Sequence, residues 1–499
     1  MNGPATNSKV HEFCSPQRGA SAQVAGVAGA AVDRATRETI LRWRVNRLFW
    51  VKDALPPAMR PRHAPRDAES SKPEPLGFRY WSGDVDVDVR SPLTGGAFHA
   101  MPFAEQVDYL RMWQPETPNW DGPTREGLAG TFLAEVKTKP VFFFENASQF
   151  TGLDPVYATA LVRGFSEGLE GKGILNWEPF WAFASWVLAQ PDPETEIQDE
   201  FSGETQLERR WQNSRLEIAR FLDAILNDKL ASLPLTERAA VWQLIDALTR
   251  DPNPAPADEA AEGKCRMDPF TLSLNTVRGE AMHAVFSFIH WIRSHSPEAA
   301  PSGGNLDDVP EARAALEARL DAQLEPSLTI RSVFGANIPR LAHWAEVWLC
   351  DHLGEIFPAQ NRNELGDIAW STYLRFSQVN SKAFTLLHQQ YTAAIARMLQ
   401  DGLVEPRDRD ARVSLGQHLV LCYCRGGLDF EQPGDLLAAF FARAPEPVRA
   451  EVLAFVGRSL VQSNEPIPPE IFARLLKLWN WQVQRATIGG GAGYQEVVA

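Results

Sequence analysis

Val277, Ala281, Ala284, Val285, Phe288, Ile289 and Ile292 fall at helical spacing and form one unbroken apolar stripe. Comparable stripes recur in segment after segment of the 499-residue chain. A helix with an apolar face needs a neighbour to cover it, so a long succession of such helices is constrained to stack. The fold class predicted is therefore all-α. Composition is compatible with packing, since 44% of residues are hydrophobic and 22% charged, a globular balance. Sixteen Trp and 27 Phe supply bulky side chains for a core.

The pattern divides the chain into five stretches. Residues 1–30 read as a disordered leader, without the basic start of a signal peptide. Residues 31–56 form a basic helix, from about Arg34 to Lys52, stopped by Pro56 and Pro57. Residues 57–100 read as a Pro-rich linker with one short strand, where Val85, Val87 and Val89 alternate with Asp84, Asp86 and Asp88. Residues 101–485 form an α-helical repeat region, and 486–499, with a Gly-rich run, a flexible tail.

Within the repeat region the predicted helices are Phe103–Met112, Thr124–Val136, Pro155–Leu169, Trp177–Leu188, Glu204–Asp228, Thr236–Thr249, Thr276–Ser294 and Pro310–Gln323. They continue as Ile338–His352, Gly366–Phe376, Ser381–Gln400, Asp408–Cys424, Gly434–Ala442, Pro447–Val461 and Pro468–Trp481. Pro155, Pro310, Pro447 and Pro468 lie at or beside helix starts, where the missing N–H is harmless. Helix pairs of roughly 40 residues point to a HEAT-like α-solenoid of degenerate repeats. Asp251–Gly263 and Ser296–Asp308, rich in Pro, Gly and acids, are predicted as loops interrupting it.

The formal net charge of −14 sets up a field that repels nucleic acid and anionic membranes. Residues 31–66 depart from it, with nine Lys or Arg against Asp33, Glu38 and Asp53. There Arg42, Trp43, Arg44, Arg47 and Trp50 interleave guanidinium and indole groups, a set suited to phosphate contact and base stacking. The competing reading is a helix whose Trp43, Leu48 and Trp50 pack inward while its arginines are solvated. The five Cys are odd in number and scattered, which suits a reducing cytoplasm. No apolar run approaches the roughly 20 residues that span a bilayer, so no membrane association is expected.

The short motifs carry little chemistry. Gly164-Phe165-Ser166-Glu167-Gly168 matches the G-x-S-x-G nucleophile elbow, yet it continues a helical pattern where a strand is required. The run Gly168 to Gly173 lacks the spacing of a phosphate loop. His418, Cys422 and Cys424 could begin a zinc site, but their apolar surroundings favour buried thiols. His283 and His290 share a helical face and read as satisfied core histidines. Asp84, Asp86 and Asp88 lack the glycine and later oxygen ligands of a calcium loop. No catalytic residue, cofactor or metal is expected from the sequence.

Asn275, Arg278, Gly279 and Glu280 read instead as a structural helix junction. Asn275 or Thr276 would cap the first turn, with Glu280 placing negative charge near the helix N-terminus. Gly279 would admit a close neighbour, and Arg278 would pair with an acid on an adjacent repeat.

Asp268-Pro269 and the run Ser273-Leu274-Asn275-Thr276-Val277-Arg278-Gly279-Glu280-Ala281 resemble a segment of the helical C-terminal repeat region of large bacterial anti-phage defence proteins, which carry STAND-type NTPase or Sir2-like heads. Glu325-Pro326-Ser327, Arg331-Ser332-Val333-Phe334-Gly335 and Trp370-Ser371-Thr372-Tyr373-Leu374-Arg375-Phe376 resemble it in the same way. The likeness runs from about Asp268 to Met398. No phosphate loop, dinucleotide-binding turn or nuclease motif accompanies it, so the head is expected to be absent. The resemblance implies a non-catalytic scaffold that recognises a protein or other macromolecular trigger, with a separate NTPase or nuclease as partner. The alternatives are a hydrolase with an unrecognised site and a nucleic-acid binder working through the basic helix.

Overall fold

The computed structural model describes residues 91–115, 122–192, 210–260, 267–296, 304–358, 364–398, 410–432, 434–462 and 466–488. Among these residues there are 21 α-helices and no strand. The first six are α1 (Gly95–Ala100), α2 (Phe103–Met112), α3 (Arg125–Thr138), α4 (Pro140–Glu145), α5 (Pro155–Gly168) and α6 (Glu178–Leu188). Next come α7 (Trp211–Leu226), α8 (Arg238–Leu248), α9 (Pro256–Ala260), α10 (Pro269–Ser273), α11 (Val277–His295), α12 (Pro310–Leu320) and α13 (Leu328–Trp344). The remainder are α14 (Glu346–Ile356), α15 (Glu364–Phe376), α16 (Ser381–Leu386), α17 (His388–Arg397), α18 (Ala411–Cys424), α19 (Leu436–Arg443), α20 (Glu446–Gln462) and α21 (Pro469–Ile488).

One succession of helices runs through the molecule. Helix α3 packs on α5, α5 on α7, α7 on α11, α11 on α13, α13 on α15, α15 on α18 and α18 on α20. A second set lies alongside: α4 meets α6, α6 meets α8, α12 and α14 meet α13, and α17 meets α19. The apolar core is continuous through these layers.

The stripe from Val277 to Ile292 is buried along its whole length. Helix α11 is not amphipathic, however. Met282, Phe286 and Trp291 on its other faces are buried too, because α7, α8, α10, α12 and α13 surround it. A helix buried on most of its faces, here with Glu280 and Ser287 included, belongs at the centre of a packed layer.

Several boundaries differ from those predicted. The predicted Ile338–His352 helix is instead the end of α13 and most of α14, separated at Ala345. Pro339 lies inside α13 because Ile330, Val333, Phe334 and Ile338 are all fully buried along that helix, which offsets the lost backbone bond. Ser381–Gln400 breaks at Leu387 into α16 and α17. Residues 95–100, inside the stretch read as linker, form α1, with Phe98 buried. Helix α21 runs on to Ile488, past the predicted end of the repeat region. The loop predicted at Asp251–Gly263 contains α9, and its Asp251 is buried against Arg215 at 2.7 Å. The basic helix, the strand and the end of the tail lie outside the described residues.

Candidate functional site

Helix α11 starts in an unusual way. Its N-cap Thr276 makes no side-chain cap bond; the Thr276 hydroxyl donates to the Leu272 carbonyl at 2.9 Å. The free amides of the first turn are met from 24 residues upstream. Val277 N donates to Asn253 Oδ1 at 2.9 Å, and Arg278 N to the Asn253 carbonyl at 2.8 Å. Asn253 thus satisfies donors that a helix N-terminus leaves unpaired. Asn275 donates to the Thr271 carbonyl at 2.8 Å and receives Arg220 at 3.4 Å, so neither residue expected to cap does so.

The neighbouring junction residues are each committed. A Cβ on Gly279 would lie 2.4 Å from the Ser273 carbonyl oxygen, so only glycine lets α10 approach α11 this closely. Arg278 Nε pairs with Glu325 Oε2 at 3.0 Å, and its Nη2 donates to the Pro254 carbonyl at 3.0 Å. Glu325 is only 3% exposed and is shared with Arg319 Nη1 at 3.5 Å. A carboxylate this buried requires such cationic partners.

Glu280 corrects the expectation of a charge beside the helix N-terminus. It is 8% exposed, and burial, reinforced by Asp223 and Glu217, pushes its carboxyl up to about 8. It is therefore a neutral acid at pH 7. Beside it Asp223 accepts from Ser287 at 2.6 Å, and Asn227 donates to Ser287 at 2.8 Å, forming a polar seam between α7 and α11.

Of the junction residues, Arg278, with its partner Glu325, lines a cleft of about 980 Å³. One wall is the 250–259 segment with Arg250, Pro254 and Glu259; the other is Arg278, Arg319 and the 324–328 segment, closed by Glu364 and Leu365. Glu259 fixes the lower edge. Its carboxylate accepts from Ser327 Oγ, from Leu328 N at 3.3 Å and from Thr329 N at 2.9 Å, at the positive end of α13. Leu324, an exposed apolar residue, stands at the rim. The walls thus carry paired charges, with prolines and an exposed leucine between them.

The other singled-out residues have structural partners. Ser166 lies in α5 and donates to the Val162 carbonyl at 3.2 Å, while its flanking glycines admit neighbours. A Cβ on Gly164 would sit 2.4 Å from Val136 Cγ1, and one on Gly168 2.8 Å from Pro140 Cβ. The G-x-S-x-G spacing is therefore a helix-packing pattern here and no strand precedes it. His283 meets Ser273 Oγ at 2.9 Å, and burial lowers its pKa to about 4. His290 is not a core residue; it is exposed and stacks on Trp344 at 5.4 Å. His418 Nδ1 meets the Tyr391 hydroxyl at 2.8 Å, and that hydroxyl meets Tyr373 at 3.1 Å. Cys422 is buried beside them, its thiol pushed up to about 12 by burial. Among the described residues no group of three His, Cys, Asp or Glu could hold a metal ion. No described helix is long and apolar enough to cross a membrane. Arg42, Trp43, Arg44, Arg47 and Trp50 lie outside the described residues.

Sequence reasoning did not find Asn253, Glu259 or Arg319. Each acts across 24 or more residues, or through a pairing visible only once the helices are packed. Comparison with protein families, with curated proteins and with solved structures returns no match to this chain.

Proposed function

We propose that the chain is a HEAT-like α-solenoid serving as a non-catalytic scaffold that recognises a protein or other macromolecular trigger in bacterial phage defence. The observation that carries this reading is the unbroken succession from α3 to α20, each helix packed on the next in order. Such arrays present long surfaces assembled from many elements, which suits recognition of large partners. The defence setting rests on the sequence resemblance between Asp268 and Met398 alone. In this reading the work of signalling belongs to a separate NTPase or nuclease in the cytoplasm, and the chain itself needs no cofactor.

The recognition site is the cleft beside α11 and α13. Arg319 and Arg278 hold one buried carboxylate between them, so the cleft wall is pre-formed and its charges are set before a partner arrives. Leu324 supplies exposed apolar contact at its rim. The test compares plaque formation by a phage panel on cells carrying the gene with its genomic neighbours and on cells lacking it. Fewer plaques with the gene, and loss of that protection in Leu324→Asp with the melting temperature unchanged, are expected. Equal plating across the panel, or turnover of a substrate by the purified chain alone, overturns the proposal.

A further inference from the structure

Among the described residues, helix α21 is anchored by one face. Leu478 and Gln482 are buried against the body, Trp481 stacks on Phe430 at 4.7 Å, and Arg474 exchanges hydrogen bonds with Tyr423 at 2.9 and 3.1 Å. The opposite face carries Phe472, Leu476, Trp479 and Val483, exposed by 55, 50, 43 and 37%. Their spacing of four, three and four residues is the seam pattern of two packed helices.

We infer that α21 is a self-association surface, whose occupant is α21 of a second copy of this chain in antiparallel pairing. Three features argue for a copy. The spacing reads the same in both directions, so a two-fold axis beside Lys477 and Leu478 superposes the strip on itself, as a closed symmetric dimer requires. That register sets Phe472 of one copy on Val483 of the other, and Leu476 on Trp479, matching a large side chain with a smaller one at every layer. Of the residues beside the strip, Ala473, Asn480 and Gln484 are uncharged, and the charge of Lys477 is met by Glu431 at 2.7 Å, which offsets the repulsion between the two copies of Lys477 near the axis. The strip is only about 16 Å long, which places the contact among small interfaces and makes association concentration-dependent.

Sedimentation equilibrium of the full chain over a wide range of loading concentrations tests this. The expected result is a mass rising from 55.6 kDa toward twice that value. Leu476→Asp, on an exposed position, is expected to weaken association by about 30-fold or more, since it buries an unpaired charge at the centre of the contact, while leaving the circular dichroism spectrum unchanged. Orientation is read by cysteine cross-linking: a mixture of Phe472→Cys and Val483→Cys copies forms the mixed disulfide, while Phe472→Cys alone forms no more than wild type. A monomer at every concentration, as when another segment of the same chain covers the strip, overturns the inference. So does a dimer unaffected by Leu476→Asp, or cross-linking of Phe472→Cys to itself.

Discussion

Glu280 is the residue whose chemistry departs furthest from its place in the sequence. In the first turn of a helix an acid normally stabilises as an anion. Here burial among Asp223 and Glu217 holds it protonated, with a folded pKa of about 8 against an ordinary value of 4.5. The folded state therefore binds more protons than the unfolded one between these values. Stability is fully expressed below about 4.5 and is lost as pH rises through 8. His283 and His418 work in the other direction, because burial depresses both to about 4; stability is lost as pH falls from 6.5 toward that value. Melting temperature should thus peak in mildly acidic solution. Glu280→Gln keeps the shape and removes the titration, so its melting temperature should fall less than wild type between pH 6 and pH 9. An identical alkaline slope in the two proteins would show that Glu280 is ionised in the folded state.

At the scale of elements, the tightest constraint is the crossing of α13 and α15. A Cβ on Gly335 would lie 2.2 Å from the Ala369 carbonyl oxygen, a backbone atom that cannot turn aside. Gly335→Ala should therefore destabilise by roughly 2–4 kcal/mol through forced separation of two buried helices, against a gain of at most about 1 kcal/mol in helix propensity. Gly95→Ala, where nothing lies within 4 Å, is the control and should be neutral or mildly stabilising. Equal melting temperatures for the two variants would mean that the crossing opens without cost. The helices themselves were legible because periodicity and N-terminal prolines act within a few residues. Phe103–Met112 has its predicted bounds, and Pro155 and Pro310 begin their helices as expected. The failures share one physical cause. Pro339 sits inside α13, and Pro252 to Glu259 dock on the body, because burial and distant partners such as Arg215 and Arg278 override local preference. The same limit hid the cleft: Gly279 and Arg278 could be read as contact residues, but the Ser273, Asn253 and Glu325 groups they meet could not be assigned from spacing.

For the molecule as a whole, burial is unevenly distributed along the succession of helices. The centre is dense: α11 and α13 bury most of their residues, including Trp291, Phe286, Phe334 and the Arg331 guanidinium. Arg331 donates to the Leu320 carbonyl at 2.8 Å and to the Glu355 carbonyl, joining the ends of α12 and α14 to α13. The last two helices are thinly held. Of the 17 residues of α20 only Val448 and Val452 are buried, and α21 contributes Leu478 and Gln482. With roughly 1.5–3 kcal/mol from each large apolar side chain fully buried, the central helices hold many times the packing energy of the last pair. In an array where each helix depends on its neighbours, that difference becomes a gradient of local stability. Native-state hydrogen exchange should accordingly find the slowest amides in α11 and α13, opening only with global unfolding. Amides of α20 and α21 should exchange by a separate opening of lower free energy, with a smaller denaturant dependence because less surface is exposed. If α21 pairs with a second copy, that opening alone should slow as protein concentration rises, while the centre stays unchanged. Uniform exchange from end to end would instead mean that the chain unfolds as one cooperative block, and that thin burial at its end does not translate into local freedom.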